Sequence, residues 1–233
     1  MSGKILPYAI TLTGQSRAGK SFVIDTIKGI ARRGDYWGFS PVVVQKYTTR
    51  KFRDKEIEAI KQGRGQDMDV KPVIGKWNEM DGANDKQLSE ICLRKFKEIN
   101  CDMAYEQYGS RYGVKLIDIY RHIEQGQTPI IILNDIRVVA DLKTLLGEQC
   151  YSIFVFREVP DIATYIRESK LRNEEEVVAK LRFQKAEAIY RIYIENIHLF
   201  DHLLLNVENG TLGVEKIIKQ MLSRMCLAPT KFK

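Results

Sequence analysis

The chain has 233 residues, of which 44% are hydrophobic and 29% are charged, and this composition indicates a globular protein of one large domain or two small ones. Its 37 Lys and Arg outnumber its 30 Asp and Glu, and the resulting net charge of +7 suits an anionic ligand, either a nucleotide or a nucleic acid such as DNA. No apolar run approaches the length of a membrane span and the first residues lack a secretory signal, so we expect a cytoplasmic protein with no membrane partner.

The cysteines give no sign of a metal site. They are Cys92, Cys101, Cys150 and Cys226, and they stand singly, with no Cys-x-x-Cys pair and no neighbouring His. This spacing predicts buried or inert thiols in a reducing compartment rather than a zinc site.

Residues 14–21 read Gly-Gln-Ser-Arg-Ala-Gly-Lys-Ser, a full match to the G-x-x-x-x-G-K-[ST] phosphate-binding loop. An apolar strand is predicted before it and a helix, over 22–30, after it. In such a loop the backbone N–H groups surround a di- or triphosphate, Lys20 reaches the terminal phosphates, and the hydroxyl of Ser21 is a ligand of Mg²⁺. The whole loop is therefore the predicted nucleotide site: Gly14, Gln15, Ser16, Arg17, Ala18, Gly19, Lys20 and Ser21.

Beyond the loop, apolar runs alternate with helical patterns, which predicts an α/β fold with a mostly parallel sheet and helices on both faces. Five strands are predicted, over residues 5–12, 41–44, 130–133, 152–156 and 203–205. Helices are predicted over 114–123 and 214–225, and a long helical region over 161–198. The stretch 47–113 is polar and weakly periodic, and it predicts an inserted subdomain with a mobile loop over 62–69.

A first cluster of phosphate-binding candidates follows the second strand. Arg50 and Arg53, preceded by the hydroxyls of Thr48 and Thr49, form a fork suited to a phosphate monoester. A solvated basic turn explains the same residues equally well.

A second cluster, 134–137, follows the strand over 130–133 and reads Asn-Asp-Ile-Arg. Ligands of parallel sheets bind at the carboxyl ends of strands, so Asp135 is placed to hold Mg²⁺ through water or to orient an acceptor, and Arg137 to contact that acceptor. Asp135 also suits the N-cap of the next helix, and both roles can hold at once.

A third cluster is a series of cations in the long helical region: Arg167, Lys170, Arg172, Lys180 and Arg182. As a group they suit a lid that neutralises charge on a transferring phosphoryl group. Taken one by one they are more typical of a solvated helix face, and Arg172 is spaced to pair with Glu176.

Together these motifs resemble the guanylate kinase family over most of the chain. Residues 14–21 match its phosphate loop, 48–56 match its Thr-Thr-Arg-x-x-Arg-x-x-Glu motif, and 109–113 match its Gly-x-Tyr-Tyr-Gly motif with the second Tyr kept. The C-terminal stretch resembles its lid helices and last strand. The resemblance implies that Arg50, Arg53 and Tyr112 bind the acceptor's phosphate. It also implies that Lys170 and Lys180 act as lid cations, with Arg167 and Arg182 close to such positions.

The departures from that family concern the acceptor's base. The family reads guanine through two hydroxyls and a carboxylate. The hydroxyl positions fall here on Lys46 and Val114, and the carboxylate aligns near Met103, with Asp102 and Glu106 as candidate substitutes. The Asp-x-Arg arrangement after the central strand looks more like that of some phage-type deoxynucleotide kinases. Because losing groups built to hydrogen-bond a polar base is costly, we expect an acceptor other than plain GMP.

These inferences predict a P-loop NTPase fold with three parts. A kinase core spans 1–46, 114–160 and 197–233, an acceptor-binding subdomain 47–113, and a helical lid 161–196. The expected reaction is ATP- and Mg²⁺-dependent phosphorylation of a modified or deoxynucleoside monophosphate, with Lys20, Asp135, Arg167, Lys170 and Lys180 as catalytic residues. One alternative acceptor is a hydroxymethylated base within DNA, such as 5-hydroxymethyluracil. Another alternative, a non-catalytic interaction module, fits the intact phosphate loop less well.

Overall fold

The computed structural model describes residues 9–36, 38–51, 54–65, 68–74, 85–158, 161–171, 175–206 and 211–227. The helices are α1 (Lys20–Arg32), α2 (Asp54–Lys61), α3 (Asp85–Ile99), α4 (Leu116–Glu124), α5 (Ile136–Leu146), α6 (Ile162–Lys170), α7 (Glu176–Glu195) and α8 (Thr211–Leu227). The strands are β1 (Ala9–Thr13), β2 (Pro41–Val43), β3 (Lys46–Thr48), β4 (Val70–Pro72), β5 (Met103–Gln107), β6 (Ser110–Val114), β7 (Thr128–Ile132), β8 (Cys150–Phe156) and β9 (His202–Leu205). Arg53, Arg172, the predicted strand residues 5–8 and residues 66–67 of the predicted mobile loop lie outside the described residues.

The predicted strands form one parallel sheet in the order β2-β7-β1-β8-β9, and helices flank it. β1 and β7 are buried along their whole length, and in β7 this explains why residues 130–132 are apolar without alternation. The predicted α/β fold with a five-stranded parallel sheet is therefore confirmed.

The chain divides into two compact units. The first unit takes the described residues of 1–39 and 132–233, and it holds the phosphate loop, β1, β8, β9, α1 and α5 to α8. The second unit takes those of 40–131, and it holds β2 to β6, α2 to α4 and most of β7. The predicted insert, 47–113, falls within the second unit and the predicted lid, 161–196, within the first, while their boundaries stay predictions.

The second unit contains a four-stranded sheet of its own, which the sequence did not reveal. Its order is β4-β3-β6-β5, with β3 parallel to β4 and antiparallel to β6, and with β5 and β6 forming a hairpin. The hairpin turns at Tyr108 and Gly109, which both have positive φ, as a two-residue loop of type I′ requires. Val114, predicted to open a helix, instead ends β6 opposite Met103, because its apolar side chain packs in this sheet.

Among the described residues, no helix has both the length and the apolar character to cross a membrane. Cys92, Cys101 and Cys150 are free thiols, and the side chain of Cys226 lies outside the part of the chain described. Burial raises the pKa of Cys101 and that of Cys150 to about 11, so both thiols stay protonated and inert at neutral pH.

Candidate functional site

Several segments of the first unit meet at the carboxyl edge of its strands. The parallel registers of β1, β8 and β9 bring the loop after Thr13 beside the residues that follow Phe156 and Leu205. The backbone N–H of Leu133 donates to the carbonyl of Leu12 at 3.0 Å, which brings the Asn-Asp-Ile-Arg segment to the same edge. This is the edge at which α/β sheets bind their ligands.

The two glycines of the phosphate loop lie where no side chain fits. A Cβ on Gly14 would collide with the carbonyl oxygen of Val155 in β8. Gly19 has φ 94°, and a Cβ there would collide with the side-chain amide of Asn206, which itself donates to the carbonyl of Ala18 at 2.9 Å. The loop is thus held closely against β8 and against the residue after β9.

Lys20 is the first residue of α1, and its ammonium folds back onto the loop. Its Nζ donates to the carbonyls of Gly14 at 2.7 Å and Gln15 at 2.8 Å. Ser21 follows with an exposed side chain in the first turn, which contains no acidic residue. A helix N-terminus with a lysine, a hydroxyl and no competing carboxylate is suited to bind phosphate.

Two buried side-chain oxygens at the loop have no hydrogen-bond partner within the described residues. They are the hydroxyl oxygen of Thr13, which is fully buried, and Oε1 of Gln15, which is almost so. Native proteins leave few such atoms unsatisfied, and those they do leave often mark places that a ligand or a water completes.

Asp135 lies at the same edge and is the N-cap of α5, as one of the two interpretations predicted. Its Oδ1 accepts from the backbone N–H of Arg137 at 2.9 Å and from its Nε at 3.2 Å, and its Oδ2 accepts from Nη2 at 2.9 Å. Burial favours a higher pKa for Asp135, but the bonds from Arg137 outweigh it and lower the pKa overall. Asp135 is therefore an ionised carboxylate at neutral pH.

Two of the predicted lid cations, Lys170 and Lys180, lie close to the same carboxylate. Glu176, at the start of α7, lies 2.9 Å from the Nζ of Lys180 and 3.7 Å from that of Lys170 at the end of α6. Arg167 is exposed on α6. The structure thus brings Lys170 and Lys180 together, on the surface of the first unit.

Sequence reasoning missed several residues that surround the loop. Gln15 donates through Nε2 to the carbonyl of Arg157 at 2.5 Å, and Arg157 in turn binds Glu168 of α6 at 2.9 Å. A small pocket beside the loop is lined by Gln15, Ser16, Arg17, Arg157, Glu158, Tyr165 and Glu168. Arg157 and Asn206 come directly after β8 and β9, two strands that the sequence predicts, and that position was the signal that could have identified them.

In the second unit, Arg50 follows β3 and pairs with Glu56 of α2. Its Nη1 and Nη2 donate to Oε2 and Oε1 of Glu56 at 2.8 Å and 2.5 Å. Burial by itself lowers the pKa of Arg50, but its bonds with Glu56 raise the pKa overall. Both residues belong to the Thr-Thr-Arg motif, so the motif's glutamate orients the guanidinium of its first arginine.

Tyr112, the other described residue predicted to bind the acceptor's phosphate, lies on one face of the second unit's sheet with Lys46. Lys46 is buried, with its Nζ 3.5 Å from Oδ2 of Asp69 and 5.7 Å from the centroid of the Tyr112 ring. The Tyr112 ring stacks on that of Tyr105, with centroids 5.4 Å apart. Alternation along β3, β5 and β6 also puts Met103 on this face.

Neither candidate substitute for the base-reading carboxylate shares this position. Glu106 is exposed and, at an odd number of residues from Met103 along β5, it points to the opposite face of the sheet. Asp102 is engaged at the start of α4, where its Oδ2 accepts from the backbone N–H of Leu116 at 2.7 Å. Met103 is therefore apolar and buried, and no acidic residue of β5 lies on the same face of the sheet.

No protein-family model matches the chain, and no curated protein matches it. Among solved structures, the guanylate kinase from Anaplasma phagocytophilum is similar with a TM-score of 0.55 and 14% identity, over 98% of this chain and 91% of that one. A shikimate kinase from Bacteroides thetaiotaomicron (TM-score 0.40, 12% identity, 93% and 98% covered) and a dephospho-CoA kinase from Campylobacter jejuni (0.43, 13%, 94% and 97%) match less well. The first likeness shows that the chain has a P-loop kinase fold.

Proposed function

We propose that the chain is a P-loop kinase that transfers the γ-phosphoryl group of ATP to a nucleotide, with a modified or deoxynucleoside monophosphate as its acceptor. The observation that carries this proposal is the phosphate loop itself. Its glycines are packed against β8 and Asn206, its lysine opens α1, and it lies at the ligand-binding edge of the sheet. A loop built this closely around a helix N-terminus suits a polyphosphate.

Mg²⁺ fits the residues at this edge. Among the described residues no group of three or more His, Cys, Asp or Glu could hold a metal unaided, but kinases bind Mg²⁺ through one or two protein oxygens, substrate phosphates and water. Ser21, with its exposed hydroxyl, and the ionised Asp135 would be those protein ligands. When bound, Mg²⁺ neutralises charge on the phosphates.

The cations would act on the transferring group. Lys20 would exchange the carbonyls of Gly14 and Gln15 for the β- and γ-phosphates, and this exchange keeps its ammonium hydrogen-bonded throughout. Lys170 and Lys180, held together by Glu176, and the exposed Arg167 would neutralise the charge that develops during transfer. Phosphoryl transfer needs little else from the protein, since positioning and charge neutralisation supply most of the rate.

The acceptor's phosphate and base would bind to the second unit, and the predicted contact of Arg137 with the acceptor stays a prediction. Arg50, oriented by Glu56, would grip the acceptor's phosphate together with Arg53 and Tyr112. The base would meet Lys46 and Met103 where the resemblance implies a hydroxyl and a carboxylate for guanine. A buried ammonium and an apolar side chain cannot make the same hydrogen bonds, which supports an acceptor other than GMP.

The test is a transfer screen with γ-labelled ATP and separated products. Its acceptors are the four ribonucleoside monophosphates, the four deoxynucleoside monophosphates, hydroxymethylated deoxynucleotides and DNA containing hydroxymethyluracil. We expect efficient transfer to at least one free deoxynucleotide and poor transfer to GMP. Efficient transfer to GMP and to no other acceptor would contradict the proposed acceptor class.

Salt distinguishes a free nucleotide from DNA in the same screen. A protein that releases counterions from DNA loses affinity steeply with added salt, whereas a monophosphate in a closed pocket should show a much weaker dependence. Labelled product on DNA that disappears as salt rises would move the acceptor to a base within DNA. Absence of transfer to every acceptor, with ATP binding intact, would favour a non-catalytic interaction module.

A further inference from the structure

The side chain of Arg17 points out of the phosphate loop and into α6. Nη1 of Arg17 donates to the carbonyl oxygen of Tyr165 at 2.5 Å, and Nη2 donates to the hydroxyl of Ser169. The side chain is only 3% exposed although it belongs to a loop. A guanidinium buried in this way is engaged with the helix through both of its terminal nitrogens.

The backbone of Arg17 adopts a conformation that is costly for a residue with a side chain. Its φ is 71°, in the left-handed region, which glycine adopts freely and other residues adopt only at an energetic cost. The contacts with α6 offset that cost. A side chain with no role beyond the loop would leave the strain without compensation.

Tyr165 extends the contact from α6 to α7. The Cζ atom of Arg17 lies 3.8 Å from the centroid of the Tyr165 ring, and the same ring meets Phe183 of α7 edge-on at 5.7 Å. The ring is thus in contact with a cation from the loop and an aromatic ring from α7.

Charges complete a closed set of contacts around the loop. Glu168 lies 3.8 Å from Nη1 of Arg17 and 2.9 Å from Nη2 of Arg157, and Arg157 accepts through its carbonyl from Gln15. Burial lowers the pKa of Arg17, and the neighbouring Tyr165 and Glu168 offset part of that effect. The loop, the end of β8 and α6 are therefore connected through Arg17, Gln15, Arg157 and Glu168.

The residues of α6 that contact Arg17 lie on a different face of the helix from its proposed catalytic cations. Tyr165, Glu168 and Ser169 are spaced i, i+3 and i+4, so they share one helix face. Arg167 and Lys170 do not belong to that face, and both are exposed. A helix fixed through the first face presents its cations at a set distance from the loop.

We infer that Arg17 is a positioning residue that fixes α6 to the phosphate loop, so that loop and helix move as one body and Arg17's side chain does not bind phosphate. The inference rests on the proposed function where it concerns Arg167 and Lys170. Its structural part, the attachment of α6, holds whether or not the chain transfers phosphate.

The test compares Arg17→Gly with Arg17→Lys. Glycine suits the φ of this position, so Arg17→Gly removes the side chain without straining the loop, while Arg17→Lys keeps a charge but loses the fork. In the nucleotide-free protein, amide hydrogen exchange of α6 should rise about tenfold or more in Arg17→Gly and less in Arg17→Lys. Exchange in α5 should stay as in the wild type.

Kinetics give the second readout. We expect kcat to fall about tenfold in Arg17→Gly while the Kd for Mg-ATP changes less than about twofold. The reason is that the change removes the attachment of α6 to the loop and removes no contact with phosphate. Leu171→Ala, a change at a residue 81% exposed at the end of α6, is the matched control and should leave both unchanged. Glu168→Gln, which keeps the shape and removes the charge, should raise α6 exchange as well.

Two results would overturn the inference. One is unchanged α6 exchange in both Arg17→Gly and Glu168→Gln. The other is a Kd for Mg-ATP that weakens about tenfold in Arg17→Gly, because that loss identifies Arg17 as a phosphate ligand. If the wild type phosphorylates nothing, the proposed function fails, and the exchange measurement still tests the attachment of α6.

Discussion

Met103 and Val114 lie directly opposite each other on β5 and β6, and both are buried. Lys46, on the neighbouring β3, is buried on the same sheet. These are the three positions at which the resemblance to guanylate kinases implies polar contacts with guanine. Under the proposed function, the acceptor site would differ from a guanine reader at every one of them.

Restoring polar groups at these positions should restore guanine recognition. We expect the triple variant Lys46→Ser, Met103→Glu, Val114→Ser to raise kcat/KM for GMP by about tenfold or more, since a site with matched hydrogen-bonding groups discriminates strongly. Steady-state transfer from ATP to GMP measures it. Glu106→Gln, on the opposite face of β5, is the control and should leave GMP use unchanged. A folded triple variant with no gain on GMP would mean that this face does not read the base.

The buried pair of Lys46 and Asp69 should contribute to stability as a unit. Asp69→Asn leaves a buried ammonium without its carboxylate, and we expect the free energy of unfolding to fall by about 2 kcal/mol, less than for a fully buried pair because Asp69 is 34% exposed. Adding Lys46→Met should recover most of the loss, because no buried charge remains. Urea denaturation of the three proteins measures both effects. Equal losses in the single and double variants would show that the pair is not coupled.

Lys46 should also make stability depend on pH in the alkaline range. Burial lowers its pKa below the usual 10.5 although Asp69 acts in the opposite direction. Between the folded pKa and 10.5 the unfolded chain binds more protons, so this residue makes the free energy of unfolding rise with pH across that window and level off above it. Denaturation at several alkaline pH values, compared with Lys46→Met, isolates the contribution. If the free energy of unfolding of the wild type varied with pH in parallel with that of Lys46→Met, the lowered pKa of Lys46 would be contradicted.

The two loop glycines should respond differently to a change at Asn206. A Cβ on Gly19 meets the Asn206 side chain, whereas a Cβ on Gly14 meets the backbone of Val155. We expect Gly19→Ala to cost less stability in an Asn206→Ala background than in the wild type, with about 1–2 kcal/mol remaining for the positive φ. Gly14→Ala should cost the same in both backgrounds. Thermal or urea unfolding of the variants in this double-mutant cycle measures these losses of stability. If Gly19→Ala cost the same stability with and without Asn206→Ala, the close approach of Gly19 to the Asn206 side chain would be contradicted.

The parallel sheet and the phosphate loop were predictable because their signals are local. β7 is buried on both faces and its residues 130–132 read as a continuous apolar run, and the loop has a fixed spacing of Gly, Lys and Ser. The second sheet was not predictable in this way. β3 and β4 are three residues long, which is too short for alternation to stand out. Val114 shares helical spacing with Ile117, and that spacing predicts a helix where β6 ends.

The residues around the loop escaped prediction because their roles depend on partners distant in sequence. Arg157 and Asn206 meet the loop only through the register of β8 and β9, which no spacing in the chain encodes. The sequence marks Arg17 only as one of the eight residues of the phosphate loop. Its contacts with Tyr165 and Ser169 follow from the docking of α6, a tertiary feature.

Lys20→Ala in the γ-labelled ATP transfer assay tests the central claim most directly. Arg32→Ala, which removes an exposed cation from the opposite end of α1, is its matched control. We predict that Lys20→Ala lowers transfer to the best acceptor by about 100-fold or more, with the fold unchanged, while Arg32→Ala keeps wild-type activity. Transfer by Lys20→Ala at the wild-type rate would contradict the account, because the phosphoryl group would then not pass through the phosphate loop.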